Sequence, residues 1–431
     1  MLRRSACSIP PGAWAQSSCS TRRIRRPPRR IEFSAGTLRD RTEVDDARIF
    51  DTTLRDGEQS PGTSFSYDDQ REIAAALDAA ATDVIEAGFP VNSDAEFRAV
   101  ADVASAVDAD VCGLARVVDD DVEAALAAGV DVVHVFCSTS DVQLADSMHA
   151  TRAEAVERSV AAVERVKEAG VEVMFSPMDA TRTERSFLIE VVEAVTEAGV
   201  DWIDVPDTCG VATPARFRDL IETVASHTDA RIDVHTHDDF GMATATALAG
   251  FEAGADQAQV SVNGIGERAG NAAYEEVVMA LEGLYGVDTG IDTRALSDLS
   301  ATVERHSDVR VPANKPVVGD NAFAHESGIH AAGVIENAAT FEPGVMGPDT
   351  VGTDRELVLG KHTGRHAVRE RMTEIGFDPT DEQVATVTSR VKERAAGDER
   401  VTEADLVAFA EETGATRTTE SVSEEERVRG E

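Results

Sequence analysis

One unit recurs along this chain and limits its fold more than any other feature. It is an Ala-rich helix with charged faces, a small turn often spelled AGV, and then a short apolar run. Eight such runs read as strands: Ile49–Thr52, Val84–Ala87, Val111–Leu114, Val132–Phe136, Val171–Phe175, Trp202–Val205, Ile232–His235 and Ala258–Val262. Gly129, Gly170, Gly199 and Gly254 sit where glycine ends a helix before a strand, so the strands are parallel. Eight strand–helix units within about 250 residues fit a closed (β/α)8 TIM barrel better than an open doubly wound sheet. No Gly-rich phosphate loop follows the first strand. The expected class is α/β, with a smaller α+β region after the barrel.

At 431 residues, the chain can bury a barrel core and keep about a quarter of its length for the appendage. The expected divisions are a disordered basic tail over 1–45, the barrel over 46–311, C-terminal subdomains over 312–415 and a flexible tail over 416–431. Pro312–Pro316 reads as a connector, followed by helices at His366–Ile375, Asp381–Ala396 and Thr402–Thr413. Lys and Arg number 41 against 80 Asp and Glu, a formal charge of -39. That surface repels nucleic acid and anionic membranes, and it suits a salt-rich cytoplasm. No apolar run is long enough to span a bilayer. Cys7, Cys19, Cys112, Cys137 and Cys209 show no paired spacing, as free thiols in a reducing compartment would.

In a barrel, chemistry gathers at the carboxyl ends of the strands. Polar residues cluster at four such ends: Asp51–Gln59 (DTTLRDGEQ), Pro206–Gly210 (PDTCG), His235–Asp239 (HTHDD) and Asn263–Asn271 (NGIGERAGN). His235 and His237 are two apart on a strand, so both imidazoles face the barrel mouth and can grip one metal. Asp56 can add a hard oxygen across the mouth, or simply make the turn before Gly57. Asn271 can complete the coordination with its amide oxygen, or cap the helix that follows. Arg55 beside them can stabilise an enolate or alkoxide oxygen.

Asp51–Gln59, His235–His237 and Gly264–Asn271, together with His325–His330 (HESGIH), resemble the 2-isopropylmalate, homocitrate and citramalate synthase family over roughly residues 46 to 370. The resemblance implies an acyltransferase that condenses acetyl-CoA with a 2-oxo acid in a Claisen-type reaction. It implies a divalent cation (Mg2+, Mn2+ or Zn2+) on Asp56, His235, His237 and Asn271. Arg55, His330 and Glu326 become the catalytic residues, with His330 reaching an active site across a homodimer. Gln59, Leu114, His134, Ser176 and Thr208 become substrate contacts, Thr208 for the oxo-acid carboxylate. Gly264, Gly266 and Glu267 become contacts for acetyl-CoA. Met178 stands where the family usually has a glutamate, so either Asp179 or another carboxylate substitutes or activity is weakened, and Phe341 stands where it often has tyrosine.

Substrate choice follows from what meets the side chain of the acid. Homocitrate synthases tend to place a histidine and arginines on strands three and five, where this chain has Leu114 and Met174. A distal carboxylate buried there without a cation is costly, so an apolar side chain is expected. His134 resembles the strand-four pattern of isopropylmalate synthases and favours 2-oxoisovalerate, the substrate in leucine biosynthesis, over pyruvate. The rivals are a 3-hydroxy-3-methylglutaryl-CoA lyase, whose first loop usually reads DGLQ where this chain has DGEQ, and an impaired paralogue that only binds a metabolite.

Overall fold

The structure, a computed structural model, describes residues 44, 47–327, 330, 333, 334, 336, 337, 340–397 and 401–418. The expected basic tail over 1–45 lies outside these residues except for Val44, as do Cys7 and Cys19. Eight parallel strands close a barrel in sequential order: β1 (Arg48–Asp51), β2 (Val84–Gly88), β3 (Asp110–Arg116), β4 (Val132–Ser138), β5 (Glu172–Met178), β6 (Trp202–Asp207), β7 (Arg231–Thr236) and β8 (Gln257–Val260). The seam is the β1–β8 pairing, with Arg48 opposite Gln257 and Asp51 opposite Val260. All eight expected strands are present, but the ends move. The β8 strand stops at Val260, because Val262–Gly264 turns into a 3-10 helix with Asn263 left-handed. His237 lies one residue beyond β7, held instead by an isolated antiparallel bridge to Asn271.

Local chemistry explains the helix boundaries. Thr151 and Glu154 form a reciprocal capping box at the start of helix Arg152–Ala169. Gly170 ends it at φ +76°, where a Cβ would be strained. Side chains on the strands alternate. Ile49, Ile85, Val111, Val133, Val173, Ile203 and Val234 pack outward under the helices in the main core. Phe50, Val84, Cys112, Val132, Met174 and Trp202 form a separate apolar layer inside the barrel. Met174 therefore belongs to the barrel floor, not to the wall of a substrate pocket as its place in the sequence suggested.

Beyond β8, helix Leu296–Ser307 packs against helix Tyr67–Ala79. The connector is tied down by Lys315, whose Nζ pairs with Glu275 at 3.2 Å and also with Glu276. A second core forms around Val368, Met372, Phe377, Val387, Val391 and Leu406. Its helices are Arg365–Glu374, Asp381–Ala395 and Glu403–Glu412. Thr416–Arg417 pairs antiparallel with Phe377–Asp378. This short strand lies beyond position 415, and there the backbone groups of residues 416 and 417 find a partner strand. Cys112, Cys137 and Cys209 are free thiols. Among the described residues no helix is long and apolar enough to cross a membrane.

Candidate metal centre

Three donors meet at the carboxyl end of the barrel. Asp56, in the loop after β1, places Oδ2 3.6 Å from His235 Nε2 and 3.9 Å from His237 Nε2. The two Nε2 atoms lie 3.1 Å apart. Asn271 donates Nδ2 to Asp56 Oδ1 at 3.2 Å and to the Ile265 carbonyl at 3.1 Å. Helix Tyr274–Ala280 takes Ala273 as its N-cap, so Asn271 is not a cap. Asp56 makes no side-chain cap either, and its carboxylate faces the histidines.

The residues fit a divalent cation. Donors bound at about 2.1 Å around one ion lie roughly 3–4 Å from one another, which matches this spacing. Asp56, His235, His237 and Asn271 are all buried, and Asn271 Oδ1 has no partner among the described residues although its amide nitrogen is twice engaged. Burial, with the neighbouring His237, pushes His235 down to about 3, and burial also lowers His237, so both rings keep a lone pair for a metal. Burial alone would raise the Asp56 carboxyl, but Arg55 and then the imidazoles hold it below the usual carboxylate range. Gly266 permits the close approach: a Cβ there would sit 2.3 Å from Asn271 Nδ2 and 3.1 Å from Asp56 Oδ1.

Arg55 joins the centre to a polar string across the barrel. Its Nη1 donates to Asp56 at 2.8 Å and its Nε to Glu86 at 2.6 Å. Glu86 also accepts from Thr52 at 2.7 Å and lies 2.7 Å from His134 Nδ1. His134 Nε2 lies 2.5 Å from Ser176 Oγ, which lies 2.5 Å from Asp204 Oδ2. Burial would raise Glu86, but Arg55 and His134 hold it at about 2. Burial pushes Asp204 up to about 6 despite His134 and Ser176.

The other expected site residues divide. Leu114 is buried on β3, and His134 and Ser176 are buried with their polar atoms committed to protein partners. Thr208 Oγ accepts from the Asp179 backbone at 2.9 Å. Glu267 contributes its backbone N–H to Asp56 at 3.4 Å while its side chain is exposed beside Arg268. Gln59 is exposed and outside the cluster. Glu326 lies against Gly360, and His330 stacks on Phe341 at 4.2 Å, both in the segment after the barrel and outside the Asp56–His235–His237 cluster. Asp179 does not stand in for a glutamate at 178, because Arg182 binds both its oxygens at 2.7 Å and Ser140 donates to it as well.

Glu86 and Asp204 were missed in the sequence. Each is a lone carboxylate inside an apolar run, VIEAG and WIDVP, and such a break in a buried strand marks a polar group with work to do.

Residues 46–303 match the HMGL-like family model, and residues 317–399 match the homocitrate synthase post-HMGL domain-like model. A probable 2-isopropylmalate synthase of Methanopyrus kandleri is 52% identical over 350 residues, 81% of this chain and 70% of that one. A homocitrate synthase of the same organism is 48% identical over 358 residues, 83% of this chain and 89% of that one. Among solved structures, the HMG-CoA lyase of Bacillus subtilis shares the barrel with a TM-score of 0.56 at 22% identity, covering 63% of this chain and 96% of that one.

Proposed function

The chain belongs to the HMGL-like family, and from that premise we propose that it is an enzyme, an acyltransferase that condenses acetyl-CoA with a 2-oxo acid, first of all 2-oxoisovalerate to 2-isopropylmalate. The observation that carries this reading is the convergence of Asp56, His235 and His237 around a space that the free Asn271 Oδ1 completes. Both relatives above, by their names, are synthases of this condensing kind.

A divalent cation (Mg2+, Mn2+ or Zn2+) on these four residues supplies a Lewis acid for the keto oxygen of the oxo acid. Arg55 is fixed by Asp56 and Glu86 through Nη1 and Nε, which leaves Nη2 for the oxygen on which charge develops. Thr208 Oγ accepts from the backbone and keeps its own hydrogen to donate, as binding the oxo-acid carboxylate requires. A cavity of about 230 Å3 lined by Ser60, Gly264, Gly266, Arg268, Arg310 and Pro312 supports a seat for the acyl carrier beside the GIGER loop. In a homodimer the partner's segment after the barrel would bring the exposed His330 to this mouth.

An apolar substrate side chain fits the wall. Above the apolar floor, the inward positions of β3 to β5 are Leu114, His134, Phe136, Ser176 and Met178, and Arg116 at the end of β3 is tied to Asp121 at 2.6 Å. A distal carboxylate would lack a free cation there. The test mixes purified protein, acetyl-CoA and Mn2+ in molar KCl with 2-oxoisovalerate, pyruvate or 2-oxoglutarate, and follows free thiol. Fastest turnover with 2-oxoisovalerate is expected. Turnover with 2-oxoglutarate alone overturns the pocket argument, and none with any acid favours a paralogue that only binds metabolites.

A further inference from the structure

Proton bookkeeping along the string below the metal centre has only a few solutions. Glu86 accepts from Thr52 and Arg55 and stays ionised, so the hydrogen in its 2.7 Å contact must sit on His134 Nδ1. At the other ring nitrogen, Ser176 Oγ lies 2.5 Å from both His134 Nε2 and Asp204 Oδ2. A hydroxyl has one hydrogen. If it points to Asp204, His134 Nε2 must donate, giving imidazolium and carboxylate. If it points to His134, Asp204 must donate, giving neutral imidazole and carboxylic acid. The two arrangements contain the same atoms and differ by two hydrogens hopping one place along the string. With one proton fewer, one 2.5 Å contact would set two acceptors face to face with nothing between them.

We propose that His134, Ser176 and Asp204 form a relay that stores one mobile proton beneath the substrate pocket, with Asp204 as the positioning residue that holds it through Ser176. The relay rests on the condensation reading for its use: enolate formation needs a proton acceptor, and the end of β5 offers no other. Met178 is a thioether, Pro177 has no polar side chain, and Asp179 is locked by Arg182 and Ser140. Ser176 is the next group down that strand. In the enolising step the acetyl C–H bond breaks and its proton goes to Ser176 Oγ. The serine's own hydrogen passes to Asp204 Oδ2, and the electron pair stays on the enolate. The groups facing Asp204 are Asp233 across β7, His134 on β4, Glu86 on β2 and Arg55 from the loop after β1. Asp204 Oδ1 is buried with no partner among the described residues. Burial also brings its carboxyl close to neutrality, where a stored proton can move.

The full-length protein labelled with 15N-histidine, in EDTA and without substrate, tests the relay by long-range 15N–1H correlation between pH 5 and 9. His134→Gln assigns the resonance. His134 Nδ1 is expected to stay protonated throughout. Its Nε2 at pH 7 should show a shared proton in the wild type and a bare lone pair in Asp204→Asn, whose amide can donate to Ser176 unaided. In Ser176→Ala, which cuts the string, Nε2 should no longer respond to an Asp or Asn at 204. An Nδ1 that loses its hydrogen, or an Nε2 at pH 7 identical in wild type and Asp204→Asn, overturns the relay. In turnover, Asp204→Asn should lower kcat by about 100-fold with little change in KM and remove the limb near pH 6. A retained limb overturns the catalytic use. If the wild type turns over no 2-oxo acid, the condensation reading fails, while the NMR result still decides the relay.

Discussion

Arg55→Met removes the one cation that two buried carboxylates share. Asp56 and Glu86 side chains are 4% and 0% exposed, and Arg55 touches them at 2.8 and 2.6 Å. Glu86 is held at about 2 against an ordinary 4.5 despite its burial, by Arg55 first and then His134. That difference corresponds to ~3 kcal/mol of folding free energy, and stripping one partner from a buried pair costs roughly 3–5 kcal/mol. Because the folded value is depressed, this stability is fully present above pH 4.5 and is lost as pH falls from there toward 2. In the variant, burial lifts Glu86 instead, so the gap from wild type should be widest at pH 7 and shrink at pH 4. Urea unfolding followed by far-UV circular dichroism, in EDTA at constant KCl, reads it directly. The midpoint should fall by about 1–2 M at pH 7. An unmoved midpoint, or a loss as large at pH 4 as at pH 7, would refute the shared-cation argument.

Four further outcomes are expected. Asp56→Asn keeps the shape of the metal centre but removes its negative ligand, so Mn2+ affinity by calorimetry should fall by about 100-fold or more, ~3 kcal/mol; an unchanged affinity places the cation elsewhere. With His235 at about 3 and His237 also lowered, protons compete with Mn2+ less than at ordinary imidazoles, so affinity should fall from pH 7 to 5 by far less than the roughly several-hundred-fold loss expected for two unshifted histidines. A loss of that full size contradicts the lowered rings. Gly266→Ala should displace Asn271, because its Cβ would lie 2.3 Å from Nδ2; Mn2+ binding should weaken while unfolding shifts by only about 1–3 kcal/mol. Finally, mixing the inactive variants Arg55→Met and His330→Ala should restore about a quarter of wild-type turnover if His330 serves the partner's site, since half the dimers are mixed and each has one intact site. No recovery on mixing assigns His330 to its own chain.

The parts of the fold that were legible are those written in local chemistry. Apolar runs between Ala-rich helices marked all eight strands, and the His235–His237 spacing and the loop around Asp56 pointed to the buried cluster that the structure brings together. What escaped depends on height inside the barrel. Alternation says that Met174 and Ser176 share the inward face, but strand tilt decides that one joins the apolar floor with Trp202 and the other meets His134. Glu86 was passed over for a related reason, since its partners come from β4 and from the loop after β1. Gln59 belongs to a loop motif whose backbone turns at Gly57–Gln59 and carries that side chain to solvent. A run of residues resembling a family fixes where the chain turns more firmly than it fixes where each side chain ends.

The candidate metal centre also lies across the place where the barrel closes. Asp56 follows β1, and Asn271 follows β8, 215 residues away, yet their side chains touch at 3.2 Å. Ser60 donates to the Gly266 carbonyl and accepts from its N–H across the same seam, at 2.9 and 2.7 Å. Bringing the first and last strands together carries the largest loop-closure entropy in the barrel, and Asp56 at its edge is a buried carboxylate that needs positive charge. Arg55 answers part of that need from the same loop. A cation gripped by His235, His237 and Asn271 answers the rest from the β7 and β8 side, so it would act as a clasp on the seam as well as a Lewis acid. The loops that carry the candidate ligands and the loops that hold the barrel shut are then the same loops, which is why those candidates sit among the glycines that let two backbones approach.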